Sequence, residues 1–107
     1  MSARLTYLNQ LLDSSPQDSF LLFAIAKEHE KLGDAAQALL YYERLRSADP
    51  QYVGLYYHLG KLHEQLKDVP QAVAVYRAGI RVAQAAGDAH AASELRGALL
   101  EWEDPED

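Results

Sequence analysis

One segment of the sequence occurs twice at a fixed spacing, and this repeat constrains the fold more than any other feature. Residues 27–42 read KEHEKLGDAAQALLYY and residues 61–76 read KLHEQLKDVPQAVAVY, so the offset is 61 − 27 = 34 residues. The residues that recur in register are Lys27/Lys61, His29/His63, Glu30/Glu64, Leu32/Leu66, Asp34/Asp68, Gln37/Gln71, Ala38/Ala72 and Tyr42/Tyr76. A fixed period in this range is typical of proteins that stack copies of one supersecondary unit.

The first predicted helix is marked by leucines at helical spacing, namely Leu5, Leu8, Leu11 and Leu12. Pro16 ends this helix, because proline disfavours helical geometry in the residue before it. Asp18 or Ser19 is expected to cap the second helix. Pro50 lies 50 − 16 = 34 residues after Pro16. The first helix is therefore predicted to be the second half of an incomplete repeat.

The later helix boundaries carry recognisable turn and cap residues. Gly33 supplies a left-handed stop, and Asp34 starts the next helix with Gln37 three residues on. In such a capping box the carboxylate accepts from a free backbone N–H and the glutamine reaches back to the cap. The second copy repeats the Asp and Gln, and Asp88 after Gly87 is expected to cap a last helix. Together these signals predict about six helices.

Small residues predict where the two helices of each unit approach each other. Ala26 is expected to face Ala38, and Gly60 to face Ala72, because absent or short side chains let helix axes come close. The predicted apolar stripes extend at the helix ends to Leu32, Leu66 and Trp102.

This pattern resembles the tetratricopeptide repeat family, whose units are helix-turn-helix motifs of 34 residues. The matching residues of the first copy are Gly33, Asp34, Ala38, Tyr42 and Pro50, and those of the second are Gly60, Asp68, Ala72, Tyr76 and Gly79. The resemblance implies an all-α fold, a right-handed α-solenoid of antiparallel helix pairs forming a tetratricopeptide-like superhelix. It also implies an N-terminal half repeat and a C-terminal capping helix.

The length and the repeat together predict how the chain is divided. A chain of 107 residues is long enough for one domain but not for two independent cores. The expected parts of this single domain are a partial repeat at 2–15, a first repeat at 19–52, a second repeat at 53–86, a capping helix at 88–103 and an acidic tail at 104–107.

The composition argues against several classes of partner and compartment. A net charge of −6 disfavours a nucleic-acid-binding surface, which normally carries a basic excess. The absence of cysteine excludes disulfides, thiolate metal sites and cysteine nucleophiles. The first residues, MSARLTYLNQLLDSSP, lack the apolar run of a secretory signal, and no run approaches the roughly 18 apolar residues of a membrane span. We therefore expect a cytoplasmic protein without a nucleic-acid or membrane partner.

The histidines are the residues that most invite a catalytic or metal-binding interpretation. His29 and His63 each precede a glutamate, but the HExxH spacing is absent, since His58 and His63 are 63 − 58 = 5 residues apart. Histidines that recur with the repeat are better explained as packed repeat residues. No Gly-rich phosphate loop, nucleophile elbow or paired-carboxylate site is present. We expect no enzyme activity, no cofactor and no metal.

A second line of residues recurs on the first helix of each unit, about a quarter to a third of a turn from the core stripe. In the tetratricopeptide family this face lines a concave groove that takes up peptides or partner helices. By resemblance, the groove residues here are Phe20, Phe23, Lys27, Glu30, Tyr57, Lys61 and Glu64. His58 and Lys31 are expected near its edge.

A structural interpretation of the same residues stays open. The lysines and glutamates would form helical charge pairs worth about 0.2–0.5 kcal/mol each, and the aromatic rings would fill space between helices. One subgroup of the family grips C-terminal carboxylates with Lys, Asn and Arg residues. That function is not expected here, because the only asparagine is Asn9, outside the groove, and the glutamates partly cancel the lysine charges.

The sequence therefore favours a protein-interaction module that docks an extended peptide or a helix on a rigid surface. The second hypothesis is self-assembly, for example as a homodimer, through terminal helices whose outer faces are apolar unless capped. An enzyme is the third class, and no residue constellation supports it.

Overall fold

The computed structural model describes residues 2–103, and it contains six helices and no strand in that range. The helices are α1 (Ala3–Ser14), α2 (Ser19–Lys31), α3 (Ala35–Ala48), α4 (Gly54–Gln65), α5 (Val69–Ala85) and α6 (Ala89–Leu100). The predicted all-α fold of about six helices is confirmed. The predicted acidic tail, 104–107, lies outside the described residues.

Side-chain caps start most of these helices, as the sequence predicts. Asp18, and not Ser19, caps α2 by accepting a hydrogen bond from the backbone N–H of Leu21. Asp34 and Asp68 accept from the backbone N–H three residues on, at 3.1 and 3.3 Å. The capping box is nevertheless only half formed, because the N–H of Asp34 already donates to the carbonyl of His29. A Schellman-type turn thus satisfies the donor that the glutamine was expected to reach.

The turn between the two helices of each copy needs a left-handed residue. Gly33 has φ of +80°, and the equivalent residue of the second copy, Lys67, has φ of +64°. A side chain at positive φ costs roughly 1–2 kcal/mol, since its Cβ crowds the following carbonyl oxygen. The second turn therefore has the same left-handed geometry as the first, with a lysine in place of the glycine that favours it.

The chain forms two compact units, residues 1–50 and 51–107. In the first unit, α1 and α3 both pack against α2. Ala26 and Ala38, the predicted small pair, are both fully buried. Leu45 is also fully buried. Ser19 donates a hydrogen bond to Asp49 at 2.6 Å, which ties the start of α2 to the end of α3.

In the second unit, α5 packs against both α4 and α6. Gly60 lies against the ring of Tyr76, and a Cβ at this position would overlap that ring. The small residue thus makes room for the tyrosine of the partner helix, which the pairing of Gly60 with Ala72 did not predict. α5 has 17 residues and α3 has 14. Asp49 is the C-cap that ends α3, whereas the equivalent residue of the second copy is Ala83, which lets α5 continue.

Three residues assigned to the ends of apolar stripes are exposed instead. Leu32 and Leu66 are 50% and 42% exposed, because they form the C-caps of α2 and α4, where the helical periodicity has ended. Trp102 is 43% exposed and follows the C-cap of α6, so it does not extend the buried face of that helix. The buried face of α6 consists of Ala92, Leu95 and Ala98.

Candidate functional site

The predicted groove residues divide between the two units. Four of them lie on α2 in the first unit, and three lie on α4 in the second. The four on α2 are Phe20, Phe23, Lys27 and Glu30, and the three on α4 are Tyr57, Lys61 and Glu64.

The four predicted residues of α2 line one cleft of about 570 Å³, which we call the first-unit cleft. The rest of its lining consists of Arg4, Ala24, Glu28 and Lys31. Phe20 is 64% exposed there, while Phe23 is half-buried. An exposed phenylalanine in a concave surface offers contact area to a ligand without further rearrangement.

The glutamates of the predicted groove have a structural role that the sequence did not reveal. The phenol of Tyr42 donates a hydrogen bond to Glu30, and that of Tyr76 donates to Glu64. Both tyrosines are fully buried, and a buried hydroxyl requires an acceptor. Burial, together with the bonded carboxylate, raises the pKa of Tyr42 and of Tyr76 well above the usual value. The signal in the sequence was a Tyr that recurs twelve residues after each Glu.

The aromatic residues of the two copies have different neighbours. The ring centroid of Phe23 lies 6.2 Å from that of Tyr42, with the planes tilted by 57°. Its counterpart Tyr57 is 37% exposed, and the ammonium of Lys61 lies 5.6 Å from its ring centroid. Lys61 Nζ is also 3.7 Å from Glu64 Oε2. In the second unit, the helical charge pair of the structural interpretation is therefore present.

Three cleft residues, Arg4, Ala24 and Glu28, were not predicted from the sequence. Glu28 is buried on α2, where it accepts from the hydroxyl of Ser2 at 2.8 Å and lies 3.6 Å from Arg4 Nε. These contacts fasten α1 onto α2 and bring Arg4 to the cleft. The signal was a break in the repeat, since the second copy has the fully buried Leu62 at this position.

Three of the four histidines pack against other residues, whereas His90 is exposed. His29 stacks on Tyr41 with ring centroids 5.5 Å apart, and its Nδ1 is buried without a hydrogen-bond partner. His63 is buried, and His58 meets the ring of Tyr57 edge-on at 5.8 Å. Among residues 2–103, no group of three or more His, Cys, Asp or Glu side chains is arranged to hold a metal ion.

None of the helices in residues 2–103 is both long enough and apolar enough to span a bilayer.

Repeated helical hairpins with capped turns and buried tyrosines define a class of helical repeat proteins. The sequence model of the tetratricopeptide repeat matches residues 30–99. The chain therefore belongs to the tetratricopeptide repeat family. This family is typically non-catalytic.

Solved structures agree with this assignment. A tetratricopeptide repeat domain protein from Salinibacter ruber is 45% identical, with a TM-score of 0.77 by NMR over 80% of this chain and 87% of that one. In its crystal structure the TM-score is 0.75, over 78% and 93%. PcrH in complex with the chaperone binding region of PopD shares the fold, with a TM-score of 0.83 at 19% identity, over 91% and 74%. No curated protein matches the chain.

Proposed function

We propose that this protein is a non-catalytic interaction module that binds a peptide or a helix of a partner protein. The proposed contact residues are Phe20, Phe23, Lys27, Glu30, Tyr57, Lys61 and Glu64. The observation that carries the proposal is the first-unit cleft, which gathers all four of the α2 residues around an exposed phenylalanine. Under this proposal the chain needs neither a cofactor nor a catalytic residue, and it acts in the cytoplasm.

The chemistry of the surface supports this role. Phe20 and Tyr57 provide exposed aromatic area, which is enriched at the energetic centres of protein interfaces. Lys27 and Lys61 provide charges that orient a ligand. Because Glu30 and Glu64 accept hydrogen bonds from buried tyrosines, their main contribution is to hold the helix face in place. PcrH, of the same fold, was crystallised with a bound segment of another protein, and this precedent also supports the proposal.

The proposal is tested by affinity capture from lysate followed by mass spectrometry. A variant with Phe20→Ser and Tyr57→Ser should lose the captured partner while its melting temperature stays within a few degrees, since both rings are partly exposed. The matched control is Leu32→Ser with Leu40→Ser, which removes two exposed apolar side chains that do not line the cleft. Capture that persists in the first variant, or that is lost equally in the control, contradicts the assignment.

Self-assembly through the terminal helices is the second candidate. Tyr7 and Leu11, one helical turn apart on α1, are 60% and 39% exposed, and Leu100 at the end of α6 is 53% exposed. Such faces are where a repeat array ends and a further helix could pack. If they assemble copies, light scattering of the wild type should show a mass that rises with concentration, and Tyr7→Ser with Leu11→Ser should abolish that rise. An unchanged mass in this variant rules out α1 as the contact.

A further inference from the structure

The first-unit cleft carries more positive than negative charge, although the chain as a whole has a net charge of −6. Its lining includes three cations, Arg4, Lys27 and Lys31, and two carboxylates, Glu28 and Glu30. The balance of formal charges is therefore 3 − 2 = +1. Glu28 also lies 3.6 Å from Arg4 Nε, and both carboxylates accept hydrogen bonds from hydroxyl groups of the same unit. The net formal charge of the cleft lining is thus opposite in sign to that of the whole chain.

The apolar part of the same cleft consists of aromatic rings. Phe20 is largely exposed, Phe23 is half-buried, and Ala24, one helical turn after Phe20, also lines the cleft. Aromatic rings beside cations suit a ligand that places an aromatic side chain between carboxylates. Such a ligand gains apolar contact with the rings and charge-assisted contacts around them.

The C-terminal segment of this chain has the required chemistry. Residues 101–107 read EWEDPED, with one tryptophan, five acidic residues and no cation. Trp102 is 43% exposed just beyond α6. Glu103 pairs with Arg77 on α5, which holds the start of the segment at the surface of the second unit. Residues 104–107 lie outside the described range, and only their sequence enters the argument.

We propose that residues 101–107 of one copy bind in the first-unit cleft of a second copy. Trp102 packs against Phe20 and Phe23, and the acidic residues of the segment other than Glu103, which stays paired with Arg77, face the three cations. Because the two contacting surfaces differ, the contact is heterologous. The inference uses the cleft of the proposed function without resting on it: an outside partner and a second copy would compete for that cleft, and either can bind there alone.

The contact is small, and we expect it to be weak. A seven-residue segment buries less than a standard interface, so the dissociation constant should be on the order of 10 µM to 1 mM. Sedimentation equilibrium of the full chain across that concentration range should show a mass above the 11.9 kDa of one chain. Raising the salt concentration from about 0.05 to 0.5 M should weaken the association about tenfold, since screening removes most of the attraction between exposed charges.

Two variants separate the two halves of the contact. Lys27→Glu with Lys31→Glu reverses the cleft, and Trp102→Ala removes the anchor of the segment. Each variant alone should sediment as a single chain. Their equimolar mixture should regain a one-to-one complex, since each retains the half that the other lacks. Arg81→Glu with Arg96→Glu, exposed on the second unit, makes the same change in charge and should leave self-association intact.

A peptide experiment is independent of any effect of these changes on folding. A labelled peptide of residues 100–107, LEWEDPED, should bind the Trp102→Ala protein, whose cleft is intact and vacant. Replacing the tryptophan of the peptide by alanine should weaken binding at least about thirtyfold, as for an aromatic anchor at the centre of an interface. A peptide with lysine at its five acidic positions should not bind.

Three results would overturn the proposal. The first is a single-chain mass for the wild type up to about 1 mM, which includes the case of a segment bound in its own cleft. The second is self-association that persists in the variant with the reversed cleft. The third is a mixture of the two variants that stays monomeric. None of these bears on an outside partner, whose loss is scored separately by capture with the Phe20→Ser and Tyr57→Ser variant.

Discussion

The hydrogen bonds from Tyr42 to Glu30 and from Tyr76 to Glu64 allow a quantitative test of what holds each helix pair together. Replacing Tyr42 by phenylalanine removes the donor and keeps the buried ring. A hydrogen bond to a charged acceptor contributes about 1.5–3 kcal/mol, and water can partly replace the donor at the half-buried Glu30. We therefore expect the free energy of unfolding to fall by about 1–2 kcal/mol per tyrosine.

The measurement is urea denaturation of Tyr42→Phe, Tyr76→Phe and the double variant, with Tyr41→Phe as control. Tyr41 is half-buried, and its ring stacks on His29, a contact that phenylalanine preserves. Each kcal/mol should appear as a loss of about 4–8 °C in melting temperature for a chain of this size. If Tyr42→Phe costs no more than the control, the bond contributes nothing and the recurrence of Glu30 needs another explanation.

The same pairs predict a dependence of stability on alkaline pH. The pKa of each tyrosine is raised in the folded state, so the folded protein retains the phenol proton after the unfolded chain has lost it. The contribution of each tyrosine to the free energy of unfolding is complete below the unfolded pKa of about 10. As the pH rises beyond that value, this contribution falls by about 1.4 kcal/mol per pH unit and per tyrosine. The difference in free energy of unfolding between the wild type and the double variant should therefore disappear between about pH 10 and 11. A constant difference from pH 8 to 11 would refute the reasoning.

Three further tests concern the packing and the turns. Gly60→Ala should lower the free energy of unfolding by about 1–2 kcal/mol, because overlap of the new Cβ with the ring of Tyr76 outweighs the better helix propensity of alanine. Gly97 is exposed, so Gly97→Ala should raise the free energy of unfolding by up to about 1 kcal/mol. Equal effects of the two substitutions in urea denaturation would contradict this expectation. Lys67→Gly should raise the free energy of unfolding by about 0.5–1 kcal/mol, and Gly33→Lys should lower it, because glycine adopts positive φ without strain. A change of the same sign in both variants would show that positive φ does not set the stability of these turns. Deleting residues 88–107 should lower the melting temperature sharply, because α6 packs against α5. Each large apolar side chain of α5 that becomes fully uncovered should cost about 1.5–3 kcal/mol of stability. An unchanged melting curve would show that α6 does not stabilise the fold.

Much of the fold could be predicted because its signals are local. Aspartate caps, left-handed turn residues and prolines act within a few residues of their position in the chain, so Asp34 and Asp68 start helices as expected. The errors occurred where a local pattern ended. The helical periodicity that placed Leu32 and Leu66 in the core stops at the C-caps, and the chain turns them toward solvent.

The site was less predictable, because its residues take their roles from partners on other helices. A lysine and a glutamate three residues apart suggest a surface pair, and Lys61 with Glu64 forms one. The bond from Tyr42 to Glu30 joins α2 to α3, and no spacing within one helix reveals it. The contribution of Arg4 to the cleft depends on how α1 packs on α2. That these residues bind a partner stays a prediction.

Glu28 restricts which helix can pack in front of the first hairpin. In an array of similar hairpins, nothing prevents one hairpin from standing in the place of another except the side chains that differ. The buried carboxylate of Glu28 pairs with Ser2, the N-cap of α1, and with Arg4 on α1, while the second copy has the buried apolar Leu62 at the same position. A rearranged chain would strand the carboxylate or place a leucine against polar groups, at a cost of about 1–3 kcal/mol. A single residue thus identifies the first hairpin and fixes which helix may precede it.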